Sequence, residues 1–375
     1  MKKTKLGVVD KLFWSVVNGV EQYVFAENFI VSNLSPYEEI FSEGIMSVRH
    51  YLPLEEDEIE IAGQKVQVNK ERHRVPVILV PPLAATSMIF DLMPHRSVVR
   101  YFLAKGFDVY LIDWGEVTED HTNLSLETYV MEWMPAAVKA VQSCSHEEEV
   151  SIFSYCMGGL ISLMYLATSD ERFVKNLVTV ASPVDMHQSG VAGKVLSAIY
   201  QPAQTISSIL NFSLMDLPAR YFHVPGWTSS LVFKMTNPMG LVISSFEKFL
   251  NLWDRDYLEQ SLTMSQWFDD MVDYPGKTIR EMSVNMLNNK MASGKMKIGK
   301  TKAEFSRVEA SILAFAGEAD KLVSVLAARK VLDIVSSEDK EFCVVPGGHA
   351  GVFAGSRAPE NTWCISADWL ASRSK

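Results

Sequence analysis

Cysteine is scarce: four thiols in 375 residues cannot form a disulfide framework. A disulfide-stapled secreted domain is therefore excluded, and a reducing, cytoplasmic setting is expected. Positive charge is also short, with 35 Lys and Arg against 45 Asp and Glu and a net charge of −10. That balance excludes binding of nucleic acid through a basic face. No run approaches the ~18 uninterrupted apolar residues of a spanning helix. Met1-Lys2-Lys3-Thr4-Lys5 resembles the start of a signal peptide, yet Asp10 and Lys11 break the apolar stretch at once. With no A-x-A-like cleavage site, no signal peptide is expected. Internal repeats, low-complexity tracts, a dinucleotide fingerprint and paired Cys or His metal spacing are missing too, so no cofactor or metal is expected.

What is present is a globular composition, 48% hydrophobic and 21% charged. Phe13, Val16, Val17, Val20 and Val24 recur at helical spacing. They form either a face packed on its own domain or a docking face for a partner or an apolar particle. After a hairpin expected near Gly63, strands and helices alternate. Strands are expected at 75–80, 107–113, 150–153, 176–181, 311–316 and 341–345. Helices are expected at 96–105, 125–143, 158–168, 325–335 and 361–371. This alternation predicts an α/β class with a mostly parallel sheet covered by helices on both faces.

The pattern lapses between its fourth and fifth strands. Three parts follow: an N-terminal segment, 1–70; a core, 71–184 and 306–375; and a cap insertion, 185–305. Ten of the 18 methionines fall in the cap, which suits an adaptable apolar surface or ordinary core packing.

Ser154-Tyr155-Cys156-Met157-Gly158 sits between a strand and a helix. It is the G-x-S-x-G elbow with Cys for the nucleophilic Ser and Ser for the first Gly. Small flanking residues are needed because the turn is tight. The elbow puts Cys156 at a helix N-terminus, which favours thiolate. The acid and histidine of such a site should follow in order, on loops after later strands. Asp320 follows strand 311–316, and His349 follows strand 341–345. None of the other seven histidines meets that order. Asp320 would orient His349, His349 would move the proton, and Cys156 would attack an acyl carbon. The oxyanion hole is expected at the N–H of Met157 with that of Leu83 or Ala84. Asp113, at an earlier strand end, reads as structural. Gly294 to Thr301 satisfies G-x-x-x-x-G-K-[ST], but it lacks the strand before and the helix after, and reads as an exposed hairpin.

From about residue 70 onward the chain resembles the polyhydroxyalkanoate synthases, in particular the short catalytic subunits that work with a second protein. The resemblance is carried by Val80-Pro81-Pro82, Ile89-Phe90-Asp91-Leu92 and the run Val109 to Gly115. The cysteine box and Pro346-Gly347-Gly348-His349-Ala350-Gly351 complete it. It implies an α/β-hydrolase fold and places the catalytic residues on Cys156, Asp320 and His349. It also implies that (R)-3-hydroxyacyl-CoA is polymerised, with the chain held as a thioester and coenzyme A released. Either His349 or Asp320 would be the direct base for elongation. The implied partners are the growing polyester, the granule surface, a second synthase subunit and a further copy of the chain. Ser154 departs from the family's Gly, and residues 1–70 match less clearly. Alternatives on the same residues are a Cys-dependent hydrolase (a polyester depolymerase, an acyl-CoA thioesterase or a dienelactone-hydrolase-like enzyme) or a catalytically silent granule protein.

Overall fold

A computed structural model describes residues 6–190, 193–194, 197–198, 200–202, 213–235 and 246–374. Met1–Lys5 of the basic start, and Met239 of the cap, lie outside the described residues. The centre is an eight-stranded sheet. Its strands are β1 (Tyr37–Glu43), β2 (Met46–Tyr51), β3 (Val77–Val80), β4 (Val109–Asp113), β5 (Val150–Tyr155), β6 (Val174–Val180), β7 (Ser311–Gly317) and β8 (Lys340–Val345). The order across the sheet is β1-β2-β4-β3-β5-β6-β7-β8. From β4 to β8 all neighbours run parallel, while β1 and β2 are antiparallel additions at one edge. Strands β3 and β5 are buried along their whole length, as befits strands covered on both faces. Helices on the two faces give two apolar layers, one around Leu160, Ile161 and Met164, the other around Phe102, Phe153 and Trp363. This is the α/β-hydrolase fold.

The alternation from residue 75 onward matches the observed elements closely. The helix expected from Ser125 begins as a wider π-wound turn, Thr128–Trp133, before the regular helix Met134–Ser145. The helix expected over 325–335 is two short pieces, Val325–Arg329 and Val331–Ile334. The N-terminal segment needs more revision, because β1 and β2 belong to the sheet itself. A buried carboxylate ties the same segment down. Asp91 accepts from Ser35 N (2.8 Å), Ser35 Oγ (2.9 Å) and Ser97 Oγ (2.6 Å).

Between β6 and β7 lies the cap. Its helices Gly226–Met235, Arg255–Asp269 and Gly276–Leu287 are followed by an antiparallel hairpin, Lys295–Ile298 with Thr301–Glu304. That hairpin is the P-loop look-alike. Lys295 and Lys297 point outward while Met296 and Ile298 are buried, so its apolar side packs on the core. The methionines divide. Met271, Met282, Met291 and Met296 are buried, whereas Met215 and Met235 are exposed.

The helix Val8–Val24, α1, faces solvent. Phe13, Val16, Val20 and Val24 are 61%, 66%, 60% and 54% exposed, and only Asn18 is buried. Polar contacts hold it: Asn18 Nδ2 donates to Leu252 O at 2.7 Å, and Glu21 pairs with Arg255 at 2.7 Å. Val17 is half-buried, but because Val16 and Val20 are mostly exposed, Val16→Ser and Val20→Ser should each change unfolding free energy by no more than about 0.5 kcal/mol. A loss above about 2 kcal/mol in urea unfolding would mean that the stripe is covered.

Candidate active site

Strand β5 ends at Tyr155 and the helix Met157–Thr168 begins two residues later, leaving Cys156 to make the whole turn. Its backbone is at φ 52°, ψ −117°, a conformation costing about 1–3 kcal/mol for a residue with a Cβ. Cys156 N donates to Val180 O at 2.8 Å, and Gly159 N donates to Cys156 O at 3.1 Å. The demand for small neighbours has a definite source. A Cβ on Gly158 would lie 2.3 Å from Val80 O, and one on Gly159 would lie 2.0 Å from Ser182 Oγ. Ser154 fits for a different reason: its buried Oγ donates to Val178 O at 2.7 Å. The hydroxyl therefore bonds to the neighbouring strand and stays clear of the turn.

The loops after β7 and β8 supply the other two groups. Asp320 Oδ1 accepts from Leu322 N (2.8 Å) and Val323 N (2.9 Å), and Oδ2 lies 2.8 Å from His349 Nδ1. Its side chain is fully enclosed. The imidazole is thus fixed through Nδ1, and His349 also hydrogen-bonds Cys156. The structure brings Cys156, Asp320 and His349 together. Burial alone would lower the pKa of His349. The charge of Cys156 and hydrogen bonds to Asp320 and Cys156 more than reverse this and push it up to about 10. The arrangement can hold an imidazolium beside a sulfur anion, which is the state that attacks an acyl carbon.

Leu83 and Ala84 follow β3 and are buried, as is Met157. The N–H groups of Leu83 and Met157 make no backbone hydrogen bond among the described residues. The cap reaches this loop, since Val272 N donates to Ala84 O at 2.9 Å. Asp113 is engaged structurally. It pairs with Arg49 and accepts from Ser87 Oγ and Gly115 N, each at 3.0 Å.

Two tyrosines were not expected from the sequence. Tyr155 donates to His349 O at 3.2 Å and stacks on Phe353 with ring centres 4.4 Å apart. Tyr274, from the cap, places its hydroxyl 3.5 Å from Met157 Sδ. Burial, and next the charge of Cys156, hold both phenols above their ordinary pKa. Tyr155 was legible only as a neighbour of the nucleophile. Nothing in the sequence ties Tyr274 to the elbow. Among the described residues no cluster of three or more His, Cys, Asp or Glu could hold a metal, and no helix is long and apolar enough to cross a membrane.

Residues 93–350 match the family model Hydrolase_4, described as serine aminopeptidase, S33. The chain belongs to this α/β-hydrolase family. A putative lipase from Sulfolobus solfataricus shares the fold, with a TM-score of 0.53 and 13% identity over 90% of this chain and 99% of that one. The chain is also similar to proteins named poly(3-hydroxyalkanoate) polymerase subunit PhaC. Identity is 28% with that of Haloferax mediterranei over 91% of this chain, which spans 65% of that relative's length. With that of Allochromatium vinosum it is 27%, over 95% of this chain and 93% of the relative. In this chain the elbow holds sulfur, and the histidine beside it is the group whose protonation the sulfur should control. In a carbon-13 histidine titration, His349 should stay protonated well above pH 6.5. In Cys156→Ala the sulfur's raising charge and hydrogen bond are gone while those of Asp320 remain to oppose burial, so the midpoint should fall below that of the unaltered protein. An equal midpoint in both proteins would assign the shift to some other group.

Proposed function

We propose that the chain is the catalytic subunit of a polyhydroxyalkanoate synthase, polymerising (R)-3-hydroxyacyl-CoA with release of coenzyme A. The observation that carries this reading is a cysteine at the elbow, hydrogen-bonded to His349 under a large cap, in a chain whose relatives are named poly(3-hydroxyalkanoate) polymerase. The Cys156 thiolate attacks the thioester carbon, and the N–H groups of Met157 and of Leu83 or Ala84 receive the developing oxyanion. The carbon–sulfur bond to coenzyme A breaks, and the leaving thiolate takes the proton from His349. Exchange of one thioester for another is nearly balanced, so the acyl group can wait on sulfur for a hydroxyl. That hydroxyl loses its proton to His349 and attacks the Cys156 thioester, freeing the thiolate. Asp320 is enclosed, with both oxygens already accepting hydrogen bonds, so His349 is the base within reach and Asp320 orients it.

Coenzyme A thus enters as part of the substrate and not as a resident cofactor. The exposed stripe of α1 suits docking to a second synthase subunit or to the granule surface, and Val16→Ser with Val20→Ser should weaken that association. A Cys-dependent hydrolase would use the same triad, and the two activities differ in product. Purified protein, with its partner subunit supplied, should convert 3-hydroxybutyryl-CoA into coenzyme A and solvent-insoluble polymer. Cys156→Ala should lower both by at least about 10³-fold. Soluble 3-hydroxybutyrate as the sole acyl product would establish the hydrolase instead.

A further inference from the structure

A second thiol, imidazole and carboxylate meet at the opposite end of the sheet from Cys156. His50 lies on β2, directly across from Tyr110 of β4 in the strand register. Asp108 immediately precedes β4, and Cys144 lies in the last turn of the helix Met134–Ser145. His50 Nε2 is 2.9 Å from Asp108 Oδ1, and His50 Nδ1 is 3.8 Å from Cys144 Sγ. The carboxylate fixes the tautomer: with Nε2–H donated to Asp108, Nδ1 carries the lone pair that accepts the thiol proton. Tyr110 completes the clamp. Its ring stacks on His50 with centres 4.4 Å apart and planes 10° apart, and its hydroxyl donates to Asp108 Oδ2 at 2.9 Å. Arg72 lies 3.6 Å from the same carboxylate. Cys144 is half-buried, as are the other three cysteines, so exposure alone does not rank them.

We propose that Cys144, His50 and Asp108 form a second relay that makes Cys144 a covalent modification site for small-molecule disulfides. His50 Nδ1 takes the thiol proton as Cys144 Sγ attacks one sulfur of the disulfide. A new S–S bond forms to Cys144 and the old S–S bond breaks. The departing thiolate takes the proton from His50. Cys144 is oxidised to a mixed disulfide, and half of the reagent is reduced to free thiol. The elbow uses its imidazole the other way round, with the carboxylate on Nδ1, and the two sites share no residue.

The test uses the full chain carrying Cys156→Ala, so that the elbow thiol does not compete. Glutathione disulfide is the probe, and the sites are read by peptide mass mapping over time. Cys144 should form its mixed disulfide at least tenfold faster than Cys343 or Cys364. Adding His50→Gln should slow Cys144 at least tenfold and leave Cys364 unchanged. Asp108→Asn, which keeps the side-chain volume, should slow Cys144 several-fold and supplies the reading if His50→Gln perturbs the circular dichroism spectrum. A Cys144 rate no greater than that of Cys364 would overturn the proposal, and so would a rate indifferent to these substitutions in folded protein.

Discussion

The turn at Cys156 is the constraint on which the rest of the site depends. One residue must reverse the chain between a buried strand and a buried helix, at a positive φ that a side chain disfavours. The surroundings leave little alternative. Gly158 and Gly159 press against Val80 O and Ser182 Oγ with no room for a Cβ, and Cys156 N is held by β6. The strain lifts the sulfur out of the core at the sheet's carboxyl end, where the loops after β3, β7 and β8 also arrive. Parallel strands bring these loops together because each must turn back toward a helix at that same end.

Around the turn, polar groups are sealed in an order that divides the labour. The Asp320 side chain is enclosed and both its oxygens accept hydrogen bonds, so in the proposed reaction it fixes one tautomer of His349. His349 interacts with Cys156 and, in the proposed reaction, carries the mobile proton. The cap closes the arrangement through Val272 on the loop of Ala84 and Tyr274 on Met157. In the proposed reaction such a cover would favour transfer to an alcohol over hydrolysis.

Much of this was legible in the sequence because its signals are local. The fully buried strands read as apolar runs, the elbow is a contiguous pattern, and Asp320 and His349 each follow a strand directly. What escaped the sequence was non-local or disguised. Strand β1, Tyr37–Glu43, carries three glutamates on an exposed edge and so shows no core-facing run. The bond from Ser154 to Val178 depends on the pairing of β5 with β6. Tyr274 reaches the elbow only through the cap's path back to the core. The Cys144, His50 and Asp108 cluster joins three elements that have no common spacing. For α1 the periodicity was present, but a helical stripe does not say what it packs against, and the structure leaves it facing solvent.

In the proposed reaction the acyl group rests on Cys156 sulfur. Butyryl-CoA, which lacks the hydroxyl needed for chain growth, isolates that step. Mass mapping of rapidly quenched protein should find a butyryl group on the Cys156 peptide, accumulating with coenzyme A release. Coenzyme A release with Cys156 unmodified at all times, or with the acyl group on another residue, would rule out an acyl group held on Cys156.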